Sequence, residues 1–94
     1  MAKTRVITVV KHSTMSPEME KHSILTAIEA LTKYTVEQNA ARFIKESFDN
    51  EYGPSWQVVV GKQFGCFVSH FSSDFIYFYV NAVAILLYKT SAEA

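Results

Sequence analysis

Cys66, His70 and Asp74 are the residues of this chain whose types could act together in catalysis: a thiol nucleophile, an imidazole base and a carboxylate to orient it. Their spacing defeats the idea. On an extended strand Cys66 and His70 share a face but stand roughly 13 Å apart at about 3.3 Å per residue. Nucleophile and base must approach to roughly 3 Å. Zinc fares no better, because His12, His22, Cys66 and His70 show none of the paired spacings of protein zinc sites. The three glycines form no phosphate-cradling loop. The chain is therefore expected not to be an enzyme and to hold no metal or cofactor.

The elements that would position these residues change period midway. An opening strand is predicted over Val6 to Lys11. Ser16-Pro17-Glu18 then combines a capping hydroxyl, a proline at the first helical position and an acidic first turn. Ile24, Ala27, Ile28, Leu31 and Tyr34 follow at helical spacing. Thr35-Val36-Glu37-Gln38 fits a capping box that opens a second helix. Its apolar stripe is Val36, Ala40, Phe43, Ile44 and Phe48, and Asn50 to Pro54 ends it, with Gly53 and Pro54 as the stop. From Trp56 onward the period is two: strands over Trp56 to Val60, Phe64 to His70, Phe75 to Val80 and Val83 to Lys89. Gly61-Lys62 turns the chain between the first pair. Asn81-Ala82 joins the last pair at hairpin spacing, and asparagine tolerates the positive φ such a turn needs. The order β-α-α-β-β-β-β predicts a single α+β domain with both helices on one face of an antiparallel sheet.

That sheet carries an unusual pattern. Phe75, Tyr77 and Tyr79 fall on one side of their strand and Ile76, Phe78 and Val80 on the other. A half-solvated antiparallel sheet alternates apolar with polar. Both faces here must be covered, and the two helices suffice for one. The second face is expected to meet another copy of the chain.

Composition narrows the classes. Of 94 residues, 49% are apolar and 14% aromatic, which suits a folded domain. Nine basic and nine acidic residues cancel, so the footprint of a nucleic-acid binder is missing. A single cysteine permits no internal disulfide and fits a reducing compartment. Lys3 and Arg5 precede an apolar run too short for a signal peptide. The stretch from Phe75 to Tyr88 is broken by Asn81 and falls short of the roughly 18–20 residues of a membrane span. The reading is a cytoplasmic chain that does not enter membranes.

Trp56-Gln57-Val58-Val59-Val60-Gly61-Lys62-Gln63-Phe64-Gly65-Cys66-Phe67-Val68-Ser69-His70, then Phe75-Ile76-Tyr77-Phe78-Tyr79 and Val83-Ala84-Ile85-Leu86-Leu87, carry a specific likeness. Met15-Ser16-Pro17-Glu18-Met19 and the segment from Phe48-Asp49 to Trp56 match at the helix boundaries. Over nearly its full length the sequence resembles the eight-kilodalton dynein light chain family. The resemblance implies one light chain domain over residues 1–94, with residues 1–5 and 90–94 as flexible tails. It also implies a strand-exchanged homodimer with two facing sheets, in which the strand from Phe64 to His70 pairs with the partner's sheet. The free edge of that strand would take up an extended client segment, commonly centred on Thr-Gln-Thr. The family's setting is a cytoplasmic, microtubule-associated motor, with the dynein intermediate chain among its partners and no enzymatic activity.

By the same resemblance Gln63, Phe64, Gly65, Cys66, Phe67, Val68, Ser69 and His70 line the groove with Phe75, Tyr77 and Tyr79. The first-turn N–H groups at Glu37 and Gln38 would receive the client glutamine. Gln57, Val59, Phe64, Phe67 and Ser69 would form the dimer interface. On residue type alone, the strand aromatics read as core and Glu37-Gln38 as an exposed capping turn. Three positions depart from the family. Gln57 stands where histidine is usual, which removes a group whose charging in acid would split the dimer. Cys66 replaces a small serine and makes a groove pocket oxidisable. Phe71 stands where an acidic residue is usual. An arm-specific structural light chain with few clients and an inhibitory partner of an enzyme are alternative uses of the same edge.

Overall fold

The computed structural model describes residues 6–62 and 74–89. In chain order these form β1 (Thr8–Ser13), α1 (Pro17–Lys33), α2 (Glu37–Tyr52), β2 (Trp56–Gly61), β3 (Phe75–Val80) and β4 (Val83–Lys89). The strand expected over Phe64 to His70 and both expected tails lie outside the described residues. The strands make one antiparallel sheet in the order β1-β3-β4-β2.

Helix α1 starts as its sequence dictates. Ser16 is the N-cap, its hydroxyl accepts the Met19 N–H at 3.3 Å, and Pro17 takes the first helical position. Tyr34 closes the helix by donating its N–H to the Ala30 carbonyl at 2.9 Å. The predicted capping box of α2 does not form. Val36 is the N-cap, extended at φ −91° and ψ 123°, and among the described residues no side chain caps this end. Thr35 sits one residue too early for its hydroxyl to occupy the cap. At the other end Gly53 adopts φ 86°, and its N–H donates to the Asp49 carbonyl at 3.0 Å. The helix runs on through Asn50 to Tyr52 before glycine stops it.

The hairpin formed by β3 and β4 matches its predicted bounds, and Asn81 takes φ 56°. Asn81 also anchors the start of β1: the Ile7 N–H donates to Asn81 Oδ1 at 3.0 Å, and Ile7 O accepts the Asn81 N–H at 2.7 Å. Strand β1 lies two residues later than predicted. Thr14 locks its far end, donating its N–H to Phe75 O at 3.0 Å while Thr14 Oγ1 accepts the Phe75 N–H at 3.2 Å. A bulge at Lys11 absorbs the register change between Val10 and His12.

Both helices lie on one sheet face. Ile76, Phe78 and Val80 of β3, Ile85 and Leu87 of β4, and Trp56 of β2 pack there against Ala27, Ala30, Ala40, Ile44 and Phe48. Phe48 meets Trp56 edge-on, with ring centroids 4.9 Å apart. Burying each such large side chain contributes about 1.5–3 kcal/mol. The buried line of α1 differs from the predicted stripe: Ser23, Thr26, Ala27 and Ala30 are buried, whereas Ile24, Ile28, Leu31 and Tyr34 pack half-buried around them. Small residues let the helix approach its neighbours closely. Ser23 satisfies its hydroxyl within the helix by donating to Met19 O at 2.8 Å. Val36, assigned to the α2 stripe, is exposed because it stands outside the helix.

Candidate protein-binding surfaces

The sheet face turned away from the helices is built as rungs across three strands. Phe75 pairs with Tyr88, and Tyr88 with Gln57; Tyr77 pairs with Leu86, and Leu86 with Val59; Tyr79 pairs with Ala84, and Ala84 with Gly61. Strand alternation places all nine on this face. Strand β1 adds Val9 opposite Tyr79 and His12 opposite Tyr77. Phe75 is buried, Tyr77, Tyr79, Leu86 and Tyr88 are half-buried, and Val59 is 42% exposed. The Tyr77 and Tyr79 hydroxyls lie 3.5 Å apart, with rings tilted at 5.9 Å. No described helix packs on this face. The two-sided apolar pattern of the sequence is thus a real second face, and the expected interface residues Gln57 and Val59 are on it.

A second feature lies beside strand β2. A hollow of about 390 Å³ opens between α2 and β2, lined by Gln38, Arg42, Lys45, Glu46, Gln57 and Val58 among others. It joins Gln38, an expected groove residue, to Gln57, an expected interface residue. Glu37 is not part of it; that side chain borders a separate hollow with Tyr34, Lys62 and Val83. Val36 O accepts N–H groups from Asn39 and Ala40 at 3.0 and 3.1 Å, so the Glu37 and Gln38 donors are directed out of the helix end. Sequence reasoning missed Arg42, Lys45 and Glu46. Their signal was present: with Gln38 they recur three and four residues apart, along one face of α2.

Lys45 and Asp49 fix where β2 begins. Asp49 Oδ1 accepts the Trp56 N–H at 2.8 Å, while Lys45 Nζ donates to Asp49 Oδ2 at 2.8 Å and to Trp56 O at 3.0 Å. Partial burial pushes the Asp49 carboxyl up. The Lys45 hydrogen bond, the Trp56 N–H and the charges of Lys45 and Lys89 outweigh it, so the carboxyl lies below its ordinary range. The Trp56 indole N–H is buried with no acceptor among the described residues. Across the helix pair, His22 Nδ1 hydrogen-bonds the Tyr52 hydroxyl at 3.0 Å, and its ring stacks on Phe48 at 5.0 Å. Burial first, then Glu51 and Glu18, push the Tyr52 hydroxyl up.

Of the residues weighed for catalysis or zinc, Cys66 and His70 lie outside the described residues. His22 is committed to Tyr52, and His12 sits 5.9 Å from the Phe75 ring. Among the described residues no three His, Cys, Asp or Glu side chains gather as a metal would require, and no helix is long and apolar enough to cross a membrane. The groove positions Gln63, Phe64, Gly65, Cys66, Phe67, Val68, Ser69 and His70, three of them also assigned to the dimer interface, likewise fall outside the described residues.

A family model described as dynein light chain type 1 matches residues 8–90. The chain belongs to the dynein light chain type 1 family. Solved structures agree on the fold. The dynein light chain-like domain of the calcium binding protein FhCaBP2 from Fasciola hepatica superposes with a TM-score of 0.78 at 20% identity, covering 90% of this chain and 93% of that one. The DLC-like domain of CsTAL3 superposes with a TM-score of 0.77, also at 20% identity, covering 90% and 94%. The fold shared with them is the small α+β domain found here, two helices on one face of an antiparallel sheet.

Proposed function

We propose that this chain is a non-catalytic, homodimeric dynein light chain. It binds short linear motifs of the Thr-Gln-Thr type by strand addition, in two grooves at the dimer interface. It serves as an accessory subunit of a cytoplasmic, microtubule-associated dynein motor, with the dynein intermediate chain among its clients. One observation carries the reading: a sheet face of Phe75, Tyr77, Tyr79, Leu86, Tyr88 and Val59 lies opposite the helices with no described helix on it. Contiguous apolar surface of this kind marks an association site, and a second copy offers a self-complementary cover. The hollow beside β2 and the uncapped start of α2 support the groove, since a client amide could accept the N–H groups of Glu37 and Gln38. In this reading residues 63–70 supply the strand that receives the client. Backbone hydrogen bonds there give affinity tolerant of sequence, and side-chain pockets choose the motif. Two parallel grooves would hold two client chains side by side, raising avidity by roughly 10²–10⁴ for a dimeric client.

Titrating a labelled Thr-Gln-Thr peptide against the native chain and against Phe67→Pro tests this. Proline removes one edge N–H and distorts the strand. Binding to the native chain and its loss in the variant are expected. Equal binding to both would place the groove elsewhere.

A further inference from the structure

The sheet has a second rim, β1, on the side away from β2. Seven large apolar side chains are exposed among the described residues, and four of them fall within five consecutive positions: Val6, Ile7, Val9 and Val10. Because Ile7 turns both its N–H and its carbonyl to Asn81, ladder alternation directs Val9 toward β3 and leaves the backbone groups of Thr8 and Val10 pointing away from the sheet. Exposed rims of this type are usually shielded by lysine or a bulge. Here both devices sit at Lys11, and among the described residues no strand pairs with the outer edge from Ile7 to Val10.

Each sheet face has a hollow next to this stretch. On the helix side, Val6, Ile28, Leu31, Val80 and Val83 border a space of about 350 Å³. On the opposite side, Val9, Lys11 and Asn81 border one of about 260 Å³ together with Tyr79, the outermost β3 residue of the face assigned above to the second copy. An added strand sends alternate side chains to alternate faces, so one apolar residue would enter each hollow. Charge selects the occupant. Of the described residues of this rim, Val6 to Ser13, Lys11 carries a full positive charge and none is acidic. Two copies pairing through β1 would set like charges together, whereas an acidic chain would be attracted.

We propose that β1 is a second strand-addition site, taking an extended segment of another protein with an apolar centre and acidic flanks, independently of the β2 side. The test uses the full chain at low salt and a labelled ten-residue peptide with a Val-Ile-Val centre and three terminal glutamates. Its addition is expected to shift the Thr8 and Val10 amide signals and slow their exchange with solvent. Val10→Pro, which removes an outward N–H, is expected to weaken binding by about tenfold or more. Lys11→Glu, which leaves the backbone intact, is expected to weaken it about fivefold. Both variants should bind the Thr-Gln-Thr peptide as the native chain does. Absence of binding, equal binding of a scrambled peptide of the same charge, unchanged affinity in both variants, or shifts confined to α2 and β2 would overturn the proposal. So would a change in the sedimentation of the unliganded chain on mutating β1, since that would make the rim a contact between copies. Loss of Thr-Gln-Thr binding by the native chain would instead overturn only the β2-side groove.

Discussion

Asp49 shows how much one side chain settles in this fold. Its carboxylate receives the Trp56 N–H and is held by Lys45, which also caps the Trp56 carbonyl. Replacing it by alanine leaves a buried N–H without a partner, which costs about 1–3 kcal/mol. Urea unfolding of Asp49→Ala at pH 7 should show that loss. The pH dependence follows from the depressed carboxyl. A carboxyl lowered on folding contributes stability above its unfolded value of about 3.9, and that contribution disappears as pH falls through the folded value. The deficit of the variant should therefore be constant from pH 7 to about 5 and shrink below about 4. Asn81 gives a second test. At φ 56° a β-branched residue is strained by about 1–2 kcal/mol, so Asn81→Val should destabilise more than Asn81→Gly. Glycine loses only the side-chain bond to Ile7. Denaturant midpoints would rank the two.

At the scale of elements, the sequence was legible wherever local chemistry and tertiary pairing agree. Ser16 and Pro17 start α1, Gly53 stops α2, and β3 and β4 keep their predicted bounds because Asn81 permits the turn. Elements shifted where a distant partner decided the outcome. Strand β1 moved two residues along because Thr14 and Phe75 exchange hydrogen bonds across 61 positions of sequence. The start of α2 looked capped by Thr35, yet the chain turns at Val36. Of the predicted α1 stripe Ala27 is buried, while the other buried positions are Ser23, Thr26 and Ala30, small or polar residues that apolar periodicity does not register. Among the expected site residues, strand parity places Phe75, Tyr77 and Tyr79 on one side of β3, whereas Gln57 is reached through the family resemblance and not through parity. Arg42, Lys45 and Glu46 were not singled out, because a polar helix face normally reads as solvated.

At the level of assembly, the sheet face opposite the helices is the surface through which two copies would meet. Gln57 sits on it opposite Tyr88, at the position where the family resemblance implies a histidine. His12, on the same face, belongs to the far strand, three strand spacings or about 14 Å away. A dimer formed through this face should therefore persist from pH 7 to 4.5 rather than dissociate near the usual histidine range. Val59, on the central rung and 42% exposed in the single chain, is the position at which a buried charge would be most costly. Sedimentation velocity of the native chain and of Val59→Glu, at neutral pH and micromolar concentration, is the most direct test. Twice the chain mass for the native protein and a folded single chain for the variant are predicted. A native protein that sediments as a monomer would contradict the account.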